Sequence, residues 1–197
     1  KVYRLVSGFT AFPSKKALYS DNNELKWQDK NDAAMNQLWT VMSCASGNIV
    51  LMNVNDALYP QKTNFATNVT MFSSKNECSI SFCGKGQFQV FANKQQRMFA
   101  NGHASGNGAS GNITNYNDGG VDSYSSWYFE EVAITKDILS KQIESLNTAY
   151  IGSLLVKQES VADLAAAVDA AQGVCDAEGD YANAFAALVA SVNNATI

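Results

Sequence analysis

The sequence predicts a mainly β fold of three four-stranded units, followed by a small C-terminal α-helical region. Three observations carry this: a composition break near residue 135, a threefold recurrence of apolar positions before it, and helix-period stripes after it. Residues 1–135 hold 18 of the 21 aromatics, 10 of the 13 glycines and 16 of the 20 asparagines, with a formal charge of +1. Residues 136–197 hold 14 of the 26 alanines and carry −5. Aromatic, Gly- and Asn-rich sequence with short apolar runs favours strands and turns, whereas Ala-rich sequence favours helix. The expected organisation is a β domain over residues 1–135 and three short helices over 136–197.

The β region repeats itself. Leu18-Tyr19, Leu58-Tyr59 and Met98-Phe99 are spaced 40 and 40. Leu25, Val69 and Ile113 are spaced 44 and 44, and Trp39, Ile80 and Trp127 are spaced 41 and 47. A fourth set opens each unit, with VYRL at Val2, NIVLM at Asn48 and FQVF at Phe88. The four sets keep the same order, so each unit has four strands. One such unit cannot bury its apolar side alone, so the three close on one another and remove exposed strand edges.

The tail has three apolar stripes at helical spacing. Leu139, Ile143, Leu146, Tyr150 and Leu154 form the first. Val161, Leu164, Val168 and Ala171 follow Ser160, an expected N-cap, and Gly173 is the expected stop. Tyr181, Phe185, Leu188 and Val192 follow Asp180, a second N-cap candidate. Such stripes are core faces, and three of them make a small bundle or a cap on the first domain.

Three units of this length, each ending at a tryptophan-like position, resemble a β-trefoil. Gln37-Leu38-Trp39 matches the Q-x-W motif of the ricin-type lectin family. Ser125-Ser126-Trp127 keeps only the tryptophan, and Cys78-Ser79-Ile80 keeps neither residue. The VYRL opening, LYSDNNELKW and the NQLWTV and SSWYFEEV closings also resemble trefoil modules of large secreted bacterial glycan-processing proteins. The resemblance covers residues 1–133. A β-sandwich also uses short alternating strands but does not need this register.

Composition excludes several function classes. Charged residues are 16% and the net charge is −4, unlike a general nucleic-acid binder or a disordered chain. No apolar run reaches the roughly 18–20 residues of a membrane span. The chain starts at Lys1 without Met and shows no signal peptide, which points to a processed chain or a piece of a longer one. Cys44, Cys78, Cys83 and Cys175 form no CxxC or Cys/His cluster, so no metal is expected. An extended run would hold Cys78 and Cys83 roughly 16 Å apart, too far for a disulfide. Buried free thiols are expected, with one long-range bridge as the alternative.

No catalytic set stands out. His103, the single histidine, lies in a Gly/Ser/Asn-rich loop, a poor place for a triad. Gly106-Asn107-Gly108-Ala109-Ser110-Gly111 fits GxGxxG but does not open a helix after a buried parallel strand. Glu130 and Glu131 are adjacent on a strand and face opposite ways, so they form no dyad. The run Asn115 to Asp118 lacks the spaced ligands of a calcium loop. Three N-x-T sequons, at Asn68, Asn112 and Asn194, matter only in a secreted eukaryotic chain.

Binding is better supported. A sugar site pairs an aromatic face with planar Asp, Asn or Gln groups that bond hydroxyls. Unit one offers Asp21, Asn22, Trp27, Asn36 and Gln37, and unit three offers Asn101, Tyr116, Asn117 and Asp118. In ricin-type lectins each site uses an early Asp, a middle aromatic and a later Asn beside the Q-x-W. That resemblance selects Asp21, Trp27 and Asn36 in unit one, with Gln37 structural. Tyr116 and Asn117 match the middle of unit three more loosely. Unit two has Met71-Phe72 in its middle and no early Asp. Core packing is the competing role for Trp27, and turn formation for the Asp/Asn set.

The expected function is a non-enzymatic, carbohydrate-binding, lectin-like module of a secreted or cell-surface multidomain protein, without a cofactor. Its partners would be a glycan and other domains of a longer chain. The alternative is a structural or protein-interaction module with degenerate sugar sites.

Overall fold

A computed structural model describes residues 1–61, 67–93, 96–100, 111–117, 119–151 and 158–194. The strands are β1 (Val2–Ser7), β2 (Lys16–Asp21), β3 (Glu24–Asp29), β4 (Trp39–Ser43), β5 (Ile49–Asn53), β6 (Tyr59–Gln61), β7 (Thr70–Phe72), β8 (Glu77–Gly84), β9 (Gln87–Asn93), β10 (Gln96–Ala100), β11 (Ile113–Tyr116) and β12 (Ser126–Val132). Three helices follow: α1 (Lys136–Leu146), α2 (Gln158–Asp176) and α3 (Tyr181–Asn194). Each predicted unit supplies four strands in the predicted order.

Six strands form a closed antiparallel ring. β1 pairs with β4, β4 with β5, β5 with β8, β8 with β9, β9 with β12, and β12 with β1. The remaining strands form hairpins β2–β3, β6–β7 and β10–β11. Main-chain bonds link the hairpins around a pseudo-threefold axis. The Leu25 N–H donates to Val69 O at 3.0 Å, and the Val69 N–H donates to Ile113 O at 2.7 Å. Two residues further along, Trp27, Met71 and Asn115 each donate to a neighbouring unit, at Gly111, Asn23 and Thr67. The spacing of 44 therefore marks equivalent positions.

The other two recurrences need a shift in unit two. Leu18 faces Trp27 and Met98 faces Asn115, but it is Pro60 that faces Met71. Pro60, not Leu58, is the equivalent residue. The tight connection after β5, closed by Asn53 N–H to Leu58 O at 2.9 Å, makes equal counting fail. Likewise Trp39 sits opposite Tyr3 and Trp127 opposite Phe88 on the strand that opens each unit. In unit two Cys78 holds that place opposite Ile49, and Ile80 lies two residues beyond.

A hydrogen bond confirms the corrected register. The Trp39 indole N–H donates to Leu18 O at 3.2 Å, and the Trp127 indole N–H donates to Met98 O at 3.3 Å. In unit two, where the indole is missing, the Asn76 amide donates to Pro60 O at 3.1 Å. A buried carbonyl left without a donor costs about 1–3 kcal/mol, so each unit supplies one. Trp39, Trp127 and Cys78 are fully buried. All four cysteines are free thiols, and burial pushes the Cys78 thiol up to about 12. Native alkylation with iodoacetamide at mildly alkaline pH should therefore spare Cys78. Peptide mass mapping that finds Cys78 modified as fast as in denatured chain would contradict this placement.

The helices pack on the outer wall of β1, β4 and β5. Val2, Met42, Met52 and Tyr59 share one apolar cluster with Leu139, Ile143, Leu164 and Phe185. Thr40 Oγ1 donates to Gln142 Oε1 at 2.6 Å, and Gln142 Nε2 donates to Ser145 Oγ at 3.1 Å, all three buried. Thr135 caps α1 by accepting from the Ile138 N–H at 3.2 Å, and Asp180 caps α3 from the Asn183 N–H at 3.0 Å. Gly173 does not end α2, which runs on to Asp176. The extra turn buries Cys175, and the chain reverses at Glu178, with Gly179 N–H bonded to Val174 O at 3.0 Å. Tyr150 stands on a π-helical turn, Asn147–Ile151, and its hydroxyl bonds the carbonyls of Ala57 and Ser73. α2 begins at Gln158, so Ser160 lies inside the helix and does not cap it; Leu154 and the side chain of Val161 lie outside the described residues.

Candidate functional site

In unit one the fold separates the predicted residues. Asn22 and Asn23, with φ of 47° and 63°, form a two-residue turn that pairs Asp21 with Glu24 and Leu18 with Trp27. Strand alternation then puts Asp21 on the face opposite Trp27. Asp21 accepts from Lys26 at 3.3 Å, on that opposite face.

Trp27 is 5% exposed and belongs to the core. Phe12 lies 5.1 Å from its ring, tilted by 31°, and the Lys16 ammonium lies 5.4 Å from the ring centroid. Phe12 in turn meets Tyr124 edge-on, and Phe9 stacks on Tyr124 at 3.9 Å. The chain's own aromatics thus fill the space beside Trp27. Lys16 also pairs with Asp29, and that contact with Ser14 holds the Asp29 carboxyl below its usual range. The indole N–H of Trp27 has no partner among the described residues.

Asn36 sits in the 3-10 turn Met35–Gln37, and its carbonyl accepts from the Asn53 amide at 2.8 Å. Gln37 is fully buried, donates to Asp29 O at 2.8 Å and accepts from the Asn31 N–H at 2.9 Å. It ties the end of β3 to the approach to β4, a structural role. A shallow depression of about 590 Å³ adjoins this loop, lined by Gln28, Asp29, Lys30, Asn31 and Asp32 and by neither Trp27 nor Asn36.

Unit three differs. Tyr116 ends β11, is 36% exposed and pairs across the hairpin with Arg97. Arg97 donates to Asn117 O at 2.8 Å, and its guanidinium lies 5.1 Å from the Phe91 ring. These contacts fix the exposed residue Asn117 beside Tyr116. The arrangement offers an aromatic face, a planar amide and a cation together. Among the described residues it includes no acid–base pair. Among the described residues no group of three His, Cys, Asp or Glu side chains comes together to hold a metal. Asn101, His103, the GxGxxG-like run before Gly111 and Asp118 lie outside the described residues.

Phe9, Phe12, Tyr124 and Arg97 were not among the predicted site residues. The phrase GFTAFP held a signal: two phenylalanines in a Gly/Pro-flanked loop need a surface to cover.

No protein-family model matches the chain, and no curated protein does. Solved structures do. A ricin B-like lectin from Macrolepiota procera, solved in complex with lactose, has a TM-score of 0.55 and 12% identity, over 67% of this chain and 96% of that one. The designed 3-fold symmetric protein ThreeFoil has a TM-score of 0.56 and 17% identity, over 66% of this chain and 99% of that one.

The fold is a β-trefoil. The same fold is found in a GlcNAcα1-4Gal-releasing endo-β-galactosidase from Clostridium perfringens, at a TM-score of 0.52 and 14% identity. There the match covers 67% of this chain and 32% of that one. A trefoil thus stands alone in the lectin and forms a part of the larger enzyme. Among the described residues no helix of this chain is long and apolar enough to cross a membrane.

Proposed function

We propose that this trefoil is a non-enzymatic carbohydrate-binding module of a secreted or cell-surface protein, joined to other domains of a longer chain. The observation that carries the proposal is the Arg97–Tyr116–Asn117 face of unit three. An exposed aromatic ring stacks on the C–H face of a sugar, and the amide and guanidinium groups of Asn117 and Arg97 bond its hydroxyls. In this reading Asp21, Trp27 and Asn36 of unit one carry no part of the binding, because Asp21 faces away from Trp27 and Phe12 lies against its ring.

The test is a printed glycan array read with the intact chain, then with Tyr116→Ala and Trp27→Phe. Binding should fall about tenfold in Tyr116→Ala, the loss of roughly 1.4 kcal/mol of stacking and contact. It should survive in Trp27→Phe. Absence of any bound glycan, or full binding by Tyr116→Ala, overturns this assignment. The packing of Phe12 against Trp27 favours a second reading, a protein-interaction module with closed sugar sites. An intact, folded chain that binds no printed glycan is its expected result.

A further inference from the structure

Trp27, Met71 and Asn115 are equivalent and buried, so the residues that follow them are equivalent and face outward. These are Gln28, Phe72 and Tyr116, each three residues after Leu25, Val69 and Ile113. Phe72 is 48% exposed, more than Tyr116. An aromatic ring therefore appears twice at one position of the threefold frame, in units two and three, while unit one has glutamine.

We propose that Phe72 is the stacking platform of a second sugar site, in unit two, and that the module binds neutral glycans bivalently. This rests on the carbohydrate-binding reading above. Phe72 borders a recess of about 450 Å³ lined also by Asn23, Leu58, Thr70, Met71 and Ser73. That volume falls within the roughly 300–1,000 Å³ of small-ligand sites. Among the described residues its lining mixes an apolar floor with amide and hydroxyl groups and has no ionisable side chain. Such a lining suits an uncharged pyranose, which presents a C–H face and hydroxyls.

The recess is also held in shape. Asn23 comes from the hairpin of unit one, and its carbonyl accepts the Met71 N–H at 2.7 Å. Below, the Ser73 carbonyl accepts from the Tyr150 hydroxyl at 3.2 Å, so the π-helical turn braces the far wall. Unit two lacks Q-x-W and an early Asp, which hides this site from a motif search. The outward position is one residue beyond the lectin-type aromatic, on the other face of the hairpin.

Two sites on one rigid frame raise the apparent affinity for a surface of repeated sugars, because the second contact is intramolecular. The printed array is read with the intact chain, Phe72→Ala, Phe72→Tyr, Tyr116→Ala and the Phe72→Ala/Tyr116→Ala pair. Phe72→Ala should raise the half-saturating concentration at least tenfold on the glycans the intact chain binds. Phe72→Tyr should keep binding, and the double variant should lose it. Thermal midpoints check that Phe72→Ala, a half-exposed position, stays folded. If Phe72→Ala binds like the intact chain while Tyr116→Ala fails, the unit-two site is overturned and the module remains a monovalent lectin. If the intact chain binds nothing, the carbohydrate-binding reading itself falls, and this inference with it.

Discussion

A chain ending at Thr135 is expected not to hold the folded trefoil. The helices cover Val2, Met42, Val50, Met52, Val54 and Tyr59, which are at most 3% exposed with the helices in place. Uncovering six such side chains, at about 1.5–3 kcal/mol each, removes an amount comparable to the roughly 5–15 kcal/mol that holds an ordinary domain together. Truncation also strips Gln142 from buried Thr40, and the Tyr150 hydroxyl from the Ala57 and Ser73 carbonyls. The expected readout is loss of near-ultraviolet circular dichroism and strong binding of a hydrophobic dye. A truncated chain that unfolds cooperatively with the midpoint of the full chain would show the helices to be an appendage. A milder probe is Leu139→Ala, fully buried at this junction, with an expected cost of about 2–5 kcal/mol.

Trp39→Ala and Trp127→Ala should each destabilise the trefoil by about 3–5 kcal/mol. Both rings are at most 1% exposed, and each indole satisfies the carbonyl of the facing hairpin strand. Trp39→Phe separates the two contributions: it keeps most of the volume and leaves Leu18 O without its donor, at about 1–3 kcal/mol. Asn76→Ala should have a cost of the same kind, because its amide serves Pro60 O. Cys78→Ala removes only a small side chain and should cost less than either tryptophan change. Urea midpoints at constant slope measure all of these. If Asn76→Ala is neutral while Trp39→Phe is not, the amide is no substitute for the missing indole.

Much of this fold is legible in the residues, because closure demands recurrence. Leu25, Val69 and Ile113 are found by spacing alone, since all three meet at the axis and the unequal segments between them add to the same length. Leu58 and Ile80 mislead for one physical cause. Unit two uses Pro60 and Cys78 where its sisters use Leu, Met or Trp, so likeness of side chain points two residues away from likeness of place. Gly173 misleads because the burial of Cys175 holds α2 together beyond the residue that would otherwise stop it.

The site is less legible. The Asn22-Asn23 turn already fixes strand parity, and parity already separates Asp21 from Trp27. The closure of Trp27 by Phe12 carries no such sign, because a loop sequence gives composition but no direction. The role of Gln37 could be expected, since a buried amide at a strand junction needs main-chain partners on both sides. Phe72 shows the converse: its meaning lies in its equivalence to Tyr116, which becomes clear once the hairpin bonds are known.

The ring of six strands also bears on the order of events during synthesis. Its first strand is zipped to its last, with Val2 opposite Val132 and Ser7 opposite Trp127. As the polypeptide emerges, β1 has β4 as an early neighbour, but its other edge stays bare until nearly the whole barrel has been made. Long-range pairing of this kind is slow and leaves strand edges open to neighbouring nascent chains. The wall that α1 covers is then the last to be shielded. Expression at low temperature, or with a holdase present, should therefore change the yield of this protein more than substitutions on its finished surface do.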